Sequence, residues 1–173
     1  AVDFIADLRQ AADPSTVPVG RRVVVIGGGM TAVDAAVQSK LLGAEQVHMV
    51  YRRGPATMGA SRAEQDWAQT HGITIHHWLA PEAILPGQGD AHGHAAAVRF
   101  ERQVPSHMPG HAPGSAHLQP TGLHETLAAD MVLKAIGQKL DSSLLADCGL
   151  TLRDGRVVAD DDGRTGVAGL YAG

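Results

Sequence analysis

The first half of the chain alternates between two hydrophobic patterns. A continuous apolar run is typical of a strand buried on both faces of a parallel sheet, and it predicts a strand at Arg22–Ile26. Two further strands are predicted at Val47–Tyr51 and Ile73–Leu79. Apolar residues spaced three and four positions apart predict helices at Ala1–Ala12 and Met30–Leu42. Strands that alternate with helices in this order are typical of βαβ units, so the sequence predicts an α/β protein built on a parallel sheet.

Local signals mark the ends of the helices. Ser61 and Glu64 form an S-x-x-E capping box, which predicts a further helix that begins there and continues to about Thr70. Gly72 follows this helix and Gly43 follows the one before it. Glycine is the preferred residue just beyond a helix because it adopts the left-handed conformation without steric cost.

The second half of the chain changes from βαβ units to short strands. Strands are predicted at Ala95–Gln103 and Thr126–Ile136. Residues 104–122, between them, are rich in Pro, Gly and His and show no periodicity, so they are predicted to form a loop. A hairpin is also predicted: its strands are Leu150–Arg153 and Arg156–Ala159, and Asp154–Gly155 forms the turn between them. Short strands in succession predict an antiparallel meander that covers one face of the parallel sheet.

Composition narrows the class of protein. The 173 residues are 44% hydrophobic, as in soluble globular proteins, but only 3% aromatic, so the core must consist mainly of Ala, Val, Leu and Ile. The net charge of -4 argues against nucleic acid or an anionic membrane surface as a partner. No apolar run reaches the length of a membrane span. Cys148 is the only cysteine, which excludes an intrachain disulfide and favours the cytoplasm.

A glycine triplet lies between the first predicted strand and the helix that follows it. Gly27, Gly29 and Ala32 fit the pattern G-x-G-x-x-G/A. In a dinucleotide site, the first glycine permits a tight turn, the second lets a pyrophosphate approach the backbone, and the small third residue lets helix and strand pack closely. The alternative is a tight turn without a ligand. The position between strand and helix favours dinucleotide binding, because the helix N-terminus offers free N–H groups to phosphate.

The end of the second strand indicates which dinucleotide binds. Sites for NAD usually place Asp or Glu roughly 20 residues beyond the glycines, where it binds the ribose 2′-hydroxyl. Here Arg52 and Arg53 follow the strand instead. Guanidinium groups suit bidentate contact with a 2′-phosphate, so the sequence predicts NADP(H), with NAD as the alternative. A solvated basic strand end is the other interpretation of the two arginines.

The ten histidines raise the question of a metal site. His76 and His77 are neighbours on a predicted strand, so their side chains should point to opposite faces and not to one ion. His107, His111 and His117 lie in the predicted loop without cysteine or acidic residues to complete a ligand set. We therefore predict no metal site. The sequence also predicts no catalytic acid or base, and the segment "DDDGR" that begins at residue 160 is predicted to form a turn and not a calcium loop.

Four stretches together resemble a known family. The segments are "VVVIGGGMTAVDAA", "VYRRGPATMGASRAEQDWAQTHGI", "VLKAIGQ" and "GVAGLYAG". They resemble the NAD(P)H-binding domain of FAD-dependent oxidoreductases similar to the glutamate synthase small subunit and to dihydropyrimidine dehydrogenase. The resemblance implies a Rossmann-like three-layer nucleotide-binding domain, in which a parallel sheet has helices on one face and an antiparallel β-meander on the other. In that family electrons pass from NADPH to FAD and on through iron–sulfur clusters.

The resemblance also implies how the chain relates to a longer protein. Residues 1–173 would be a single NAD(P)H-binding domain excised from a larger flavoprotein, and residues 1–20 would be a helix and linker from the flanking FAD domain. FAD, iron–sulfur clusters and a larger catalytic subunit would then be partners in the parent enzyme and not in this chain, so we expect the chain alone to be inactive. The residues that the resemblance assigns to cofactor binding are Gly27, Gly28, Gly29, Met30, Thr31, Arg52, Arg53, Arg62, Ala135, Ile136, Gly137 and Gln138.

Two alternatives to a glutamate synthase-like parent remain open. One is the NAD(P)H-binding part of a dihydropyrimidine dehydrogenase-type subunit, because the pyrimidine site of those enzymes lies in another domain. The other is a non-catalytic module that senses nucleotides by a conformational change. A thioredoxin reductase is excluded, since its C-x-x-C pair requires two cysteines.

Overall fold

The computed structural model describes residues 1–89, 93–106, 117–138, 145, 148–153 and 155–172. In chain order the helices are α1 (Val2–Gln10), α2 (Met30–Leu41) and α3 (Arg62–Thr70). The strands are β1 (Arg22–Ile26), β2 (Gln46–Tyr51), β3 (Thr74–His77), β4 (Leu79–Pro86), β5 (Ala95–Ser106), β6 (His117–Ala128), β7 (Met131–Lys134), β8 (Leu152–Arg153) and β9 (Arg156–Val157). The chain divides into two units, Ala1–Ile136 and Gly137–Gly173. Among the described residues, no helix is long and apolar enough to cross a bilayer.

A four-stranded parallel sheet organises the first unit. Its strand order is β3-β2-β1-β7, and every neighbouring pair is parallel. The central strand β1 has the bounds predicted from its apolar run, because Val23, Val24 and Val25 are all fully buried. The helices α1 and α2 also lie within one or two residues of their predicted limits.

Alternate residues of the central strand pack against different layers. Val23 and Val25 belong to a core cluster with α2, through residues such as Val33. Val24 belongs to a second cluster with Phe100 of β5. Because side chains alternate along a strand, one face of the sheet carries the helices and the other face carries the strands that follow.

The second layer is an antiparallel meander of β4, β5 and β6. Its inner face contributes Leu79, Val98 and Phe100, each 1% exposed or less, to the cluster around Val24 and Val50 of the parallel sheet. Helices, parallel sheet and meander therefore form three layers, and the predicted architecture is confirmed. Burial of apolar side chains on both faces of the parallel sheet stabilises this arrangement.

Two predicted strands are wrong in the same way. Ile73–Leu79 is not one strand, because the chain turns at Trp78, which has a φ of 63°, and passes from β3 in one sheet to β4 in the other. Thr126–Ile136 is likewise divided at Ala129 and Asp130, between β6 of the meander and β7 of the parallel sheet. In both places apolar residues lie on either side of the division, so the sequence did not reveal the change of sheet.

The predicted loop 104–122 is also partly wrong. Residues 104–106 extend β5, and residues 117–122 belong to β6, with Val104 paired to Gln119. The outer parts of β5 and β6 were not predicted as strands because they contain proline and glycine, which are unfavourable in strands. Residues 107–116, which include His107 and His111, lie outside the described residues.

The second unit contains the predicted hairpin in shortened form. Strands β8 and β9 pair antiparallel, Leu152 with Val157 and Arg153 with Arg156. Gly155 in the turn has a φ of 75°, whereas Asp154 lies outside the described residues. The segment that begins at Asp160 forms a turn, as predicted, because the Asp160 carboxylate accepts hydrogen bonds from the backbone N–H groups of residues 162 and 164.

Candidate dinucleotide-binding site

The glycine triplet forms the turn between β1 and α2, and its first residue fills a structural role. Gly27 has a φ of 153° and donates a backbone hydrogen bond to Val50 O at 3.0 Å. A Cβ atom at this position would overlap the carbonyl oxygen of Ala135, the residue after β7. Gly27 is therefore required by the close approach of two backbones, whether or not a ligand is present.

The second residue of the triplet contacts the end of β2. A Cβ atom at Gly28 would lie 2.6 Å from the ring of Tyr51. The carbonyl of Gly28 accepts a hydrogen bond from the Ala60 N–H at 2.9 Å. At Gly28 the glycine turn therefore packs against the segment that follows β2. Neither Tyr51 nor Ala60 was predicted to have a role there.

The third residue of the triplet borders open space. Gly29 is the N-cap of α2 with φ and ψ of -102° and 179°, a conformation open to any residue. A Cβ atom there would have nothing within 4 Å. The N–H groups of Gly29, Met30 and Thr31 have no acceptor among the described residues, and no side chain caps the helix. Free N–H groups at a helix N-terminus beside empty space are suited to an anion.

The small residue that ends the pattern G-x-G-x-x-A packs closely, as the pattern requires. Ala32 is fully buried in the cluster between α2 and the parallel sheet. Met30, by contrast, is 62% exposed at the start of the helix. The pattern G-x-G-x-x-A therefore divides into two buried contacts, at Gly27 and Ala32, and one open position, at Gly29.

Two arginines lie beyond the carboxyl end of β2, where the sequence predicted them. Arg52 is exposed and Arg53 is half-buried. Neither guanidinium forms an ion pair with a carboxylate in the described part of the chain, although arginines elsewhere pair with Glu45, Glu82, Glu125 and Asp130. The end of β2 therefore presents two guanidinium groups that no described side chain neutralises.

A third arginine begins helix α3. The capping box is present as predicted, since the Ser61 hydroxyl accepts a hydrogen bond from the Glu64 N–H and the Glu64 carboxylate accepts one from the Ser61 N–H. Arg62 follows as the first helical residue and forms an exposed ion pair with Asp66 at 3.5 Å. Exposed pairs of this kind hold a side chain only weakly, so Arg62 retains freedom to bind an anion.

His77 lies at the carboxyl edge of the parallel sheet. It is the last residue of β3 and pairs in register with Tyr51. Burial lowers the pKa of the His77 imidazole, and the charge of Arg62 lowers it further, whereas the Arg53 backbone raises it. Arg53 lies at the same edge as His77, because its carbonyl accepts a hydrogen bond from the N–H of Trp78, the residue after β3, at 3.3 Å.

The stretch Ala135–Gln138 is divided between the two units, because the first unit ends at Ile136. Ala135 donates a hydrogen bond to Ile26 O at 2.8 Å, beside the glycine turn, and Ile136 is 67% exposed. Gly137, with a φ of 102°, and Gln138 are exposed and belong to the second unit. A role for these four residues at the nicotinamide stays a prediction.

The histidines behave as their strand positions predict. His76 Nε2 lies 3.0 Å from His48 Nδ1, and His76 Nδ1 lies 3.6 Å from a carboxylate oxygen of Glu125 in the meander. His77, the next residue of β3, lies on the opposite face of the sheet. Within the described ranges, no group of three or more His, Cys, Asp and Glu side chains is placed to hold a metal ion. The contact with His48 was missed, although the alternation of β2 and β3 could have indicated it.

The sequence matches one family over its whole length. Residues 1–173 match the pyridine nucleotide-disulphide oxidoreductase family. The chain therefore belongs to this family, whose members are NAD(P)H-dependent flavoprotein oxidoreductases that bind FAD and NAD(P).

Three relatives are similar to this chain over part of their own length. The NADP(+)-dependent formate dehydrogenase subunit beta of Moorella thermoacetica is 32% identical over 99% of the chain and 24% of the relative. The glutamate synthase [NADPH] small chain of Azospirillum brasilense is 34% identical over 68% of the chain and 23% of the relative. The NAD-dependent dihydropyrimidine dehydrogenase subunit PreT of Salmonella typhimurium is 38% identical over 49% of the chain and 20% of the relative. The chain thus spans a quarter or less of these relatives, and the family resemblance predicted from its motifs is confirmed.

The solved structures confirm the fold. Thioredoxin reductase of T. acidophilum superimposes with a TM-score of 0.65 at 22% identity, over 87% of this chain and 42% of that protein. Similarity at this level of identity shows the fold alone. The prediction of a Rossmann-like domain with a parallel sheet, helices and an antiparallel meander is therefore correct.

Proposed function

We propose that this chain binds NADP(H) and presents its nicotinamide for hydride transfer to FAD in a larger oxidoreductase similar to the glutamate synthase small subunit. When bound, NADPH would supply the hydride, so the chain's own task is to bind and orient the cofactor. Gly27–Thr31 would hold the pyrophosphate. Arg52, Arg53 and Arg62 would hold the 2′-phosphate, and Ala135–Gln138 would line the nicotinamide half.

The open position at Gly29 supports the pyrophosphate site. A side chain is excluded from Gly27 and Gly28 by neighbouring protein atoms, but nothing in the described residues occupies the space at Gly29. Its backbone conformation does not require glycine either. A ligand that lies against the bare backbone explains why glycine stands there, and free N–H groups of the first helical turn would donate to its phosphate oxygens.

One observation carries the choice of NADP(H), namely the pair of guanidinium groups at Arg52 and Arg53 that no described carboxylate neutralises. They follow β2 at the place where NAD sites carry an acidic residue. An acidic residue there would repel a 2′-phosphate, whereas the planar fork of arginine can bind two of its oxygens at once.

We also propose that the chain is one domain of a longer flavoprotein. Residues 1–173 would form the NAD(P)H-binding domain, and residues 1–20 would come from the flanking FAD domain. The coverage of the relatives supports this proposal, because the whole chain aligns with 24% of the formate dehydrogenase subunit. FAD, iron–sulfur clusters and a larger catalytic subunit would then be contributed by the rest of the enzyme.

Titration with two cofactors tests the choice of nucleotide. The unmodified chain is expected to bind NADPH at least about tenfold more tightly than NADH, because hydrogen bonds to charged groups contribute about 1.5–3 kcal/mol each. The double variant Arg52→Ala, Arg53→Ala is expected to lose most of this preference and to keep its affinity for NADH. Isothermal titration calorimetry with each nucleotide measures both quantities.

A matched control removes two positive charges elsewhere. Arg9 lies beside the end of α2, and Arg21 pairs with Glu45 before β1, so both are distant from the carboxyl edge of the sheet. The double variant Arg9→Ala, Arg21→Ala should retain the preference for NADPH. Equal affinities for NADPH and NADH in the unmodified chain would disprove the assignment of NADP(H).

A second candidate function rests on the similarity to PreT. The 38% identity over about half of the chain favours the NAD(P)H-binding part of a dihydropyrimidine dehydrogenase-type subunit. The same titration separates the two candidates, since the PreT relative is described as NAD-dependent. A preference for NADH would favour this second candidate.

A further inference from the structure

The segment Arg52–Ala60, here named the arginine loop, is fixed to both neighbouring structures. At its start, the Trp78 N–H donates to Arg53 O at 3.3 Å. At its end, the Ala60 N–H donates to Gly28 O at 2.9 Å. The loop is therefore held between the junction of the two sheets and the glycine turn, while the guanidinium groups that it carries remain without an acidic partner in the described chain.

Tyr51 joins the arginine loop to the glycine turn through a single side chain. Its ring contacts Gly28 so closely that no Cβ atom would fit between them. Its hydroxyl donates to the carbonyl of Thr57, in the middle of the arginine loop, at 2.7 Å. The ring and the hydroxyl thus contact the two parts of the site that would hold the pyrophosphate and the 2′-phosphate.

Trp78 fixes the loop from the other side. It has a φ of 63°, which is an unfavourable conformation for a bulky residue. Its ring occupies the space beside Gly54, where a Cβ atom would overlap it. Its carbonyl accepts a hydrogen bond from the Gln103 N–H of β5 at 2.7 Å. The strained residue therefore connects the meander to the arginine loop immediately after Arg53.

We propose that Tyr51 and Trp78 are positioning residues that determine the discrimination between NADPH and NADH by holding the arginine loop in a single conformation. The inference rests on the proposed function, in which Arg52 and Arg53 bind the 2′-phosphate. A phosphate that meets a preformed loop does not have to order it, so less of the contact energy is lost to conformational entropy. NADH lacks the 2′-phosphate and gains nothing from the loop.

The variant Tyr51→Phe tests this inference because it keeps the ring against Gly28 and removes only the hydrogen bond to Thr57. The affinity for NADPH is expected to fall about threefold to tenfold, the range for one neutral hydrogen bond, while the affinity for NADH changes by less than twofold. Tyr171→Phe is the matched control, since Tyr171 is the other tyrosine of the chain and is 67% exposed.

The variant Trp78→Phe provides a second test from the other side of the loop. It shortens the ring beside Gly54 and should reduce the ratio of NADPH to NADH affinity in the same direction as Tyr51→Phe. Trp67→Phe is its control, because Trp67 is the only other tryptophan and lies 43% exposed on α3. The midpoint of urea unfolding, measured for every variant, shows which of them are folded.

The outcomes separate the inference from the proposed function. If the unmodified chain prefers NADPH and the arginine variant loses that preference, but Tyr51→Phe keeps it, the inference is wrong and the proposed function stands. An equal loss of NADPH and NADH affinity in Tyr51→Phe would also overturn the inference, because Tyr51 would then support only the glycine turn. If the unmodified chain shows no preference, both proposals fail.

Discussion

Gly27 and Gly29 belong to one motif, yet alanine at the two positions should affect stability and nucleotide binding differently. Gly27→Ala places a Cβ atom on the carbonyl of Ala135 at a φ of 153°. Gly29→Ala places one in open space at a φ that any residue adopts. The first change should therefore lower the free energy of unfolding and the second should leave it intact, while the second alone interferes with the pyrophosphate.

The expected loss of stability at Gly27 has two parts. A residue other than glycine held in a sparsely populated backbone conformation costs about 1–3 kcal/mol. Forcing extra atoms into a packed site costs about 1–3 kcal/mol more, and here the obstacle is backbone that cannot move aside as a side chain would. The sum of about 2–6 kcal/mol is a large share of the roughly 5–15 kcal/mol that stabilises a typical domain.

Gly29→Ala should change the free energy of unfolding by no more than about 1 kcal/mol, and in the stabilising direction, because alanine restricts the unfolded chain. Urea unfolding of both variants and NADPH titration of Gly29→Ala and the bulkier Gly29→Val measure the two effects. We expect Gly29→Val to abolish nucleotide binding in a folded protein. A Gly27→Ala variant as stable as the unmodified chain, or a Gly29→Val variant that binds NADPH normally, would refute this division of roles.

Two further predictions concern acidity and flavin. Burial lowers the pKa of His48 and of His77, so at mildly acidic pH the unfolded chain binds more protons than the folded chain. The free energy of unfolding should therefore be constant above about pH 7 and fall as the pH drops to about 5.5. The variant His48→Gln should make the urea midpoint less dependent on pH. A midpoint that stays unchanged from pH 8 to 5.5 would contradict this reasoning. The purified chain should also be colourless and should not oxidise NADPH when free FAD is added, since Gly27–Ala32 is its one dinucleotide motif and the proposed function assigns it to NADP(H). Bound FAD in a visible spectrum, or turnover above that of free flavin, would disprove it.

The sequence predicted most accurately what depends on local pattern. The bounds of β1 followed from a run of valines buried on both faces, and the end of α2 followed from Gly43, which has a φ of 104°. The capping box at Ser61 was also visible in the residues themselves. Each of these features is determined by residues close together in the chain, which is the information that periodicity and capping rules use.

Features that depend on contacts between distant segments were missed. Nothing in the sequence marks Trp78 as a residue with positive φ, because the cause is the packing of two sheets on either side of it. Tyr51 stood within a quoted motif, but its two contacts, with Gly28 and Thr57, become visible only when β1 and β2 lie side by side. The site residues were thus predicted as a set, whereas their mutual support was not.

The position of β7 has a consequence for how the molecule folds. On one side β1 pairs with β2, which is near it in the sequence: the ion-paired residues Arg21 and Glu45, just before the two strands, are only 24 positions apart. On its other side β1 pairs with β7, which follows the whole meander in the sequence, and the Arg22 N–H donates a hydrogen bond to the Asp130 carboxylate 108 residues away. Closing so long a loop is slow, so we expect the β7 edge of β1 to stay unpaired until late in folding. Because Ala135 closes the glycine turn from that side, the ability to bind nucleotide should return only in the last phase of refolding, after most of the secondary structure has formed.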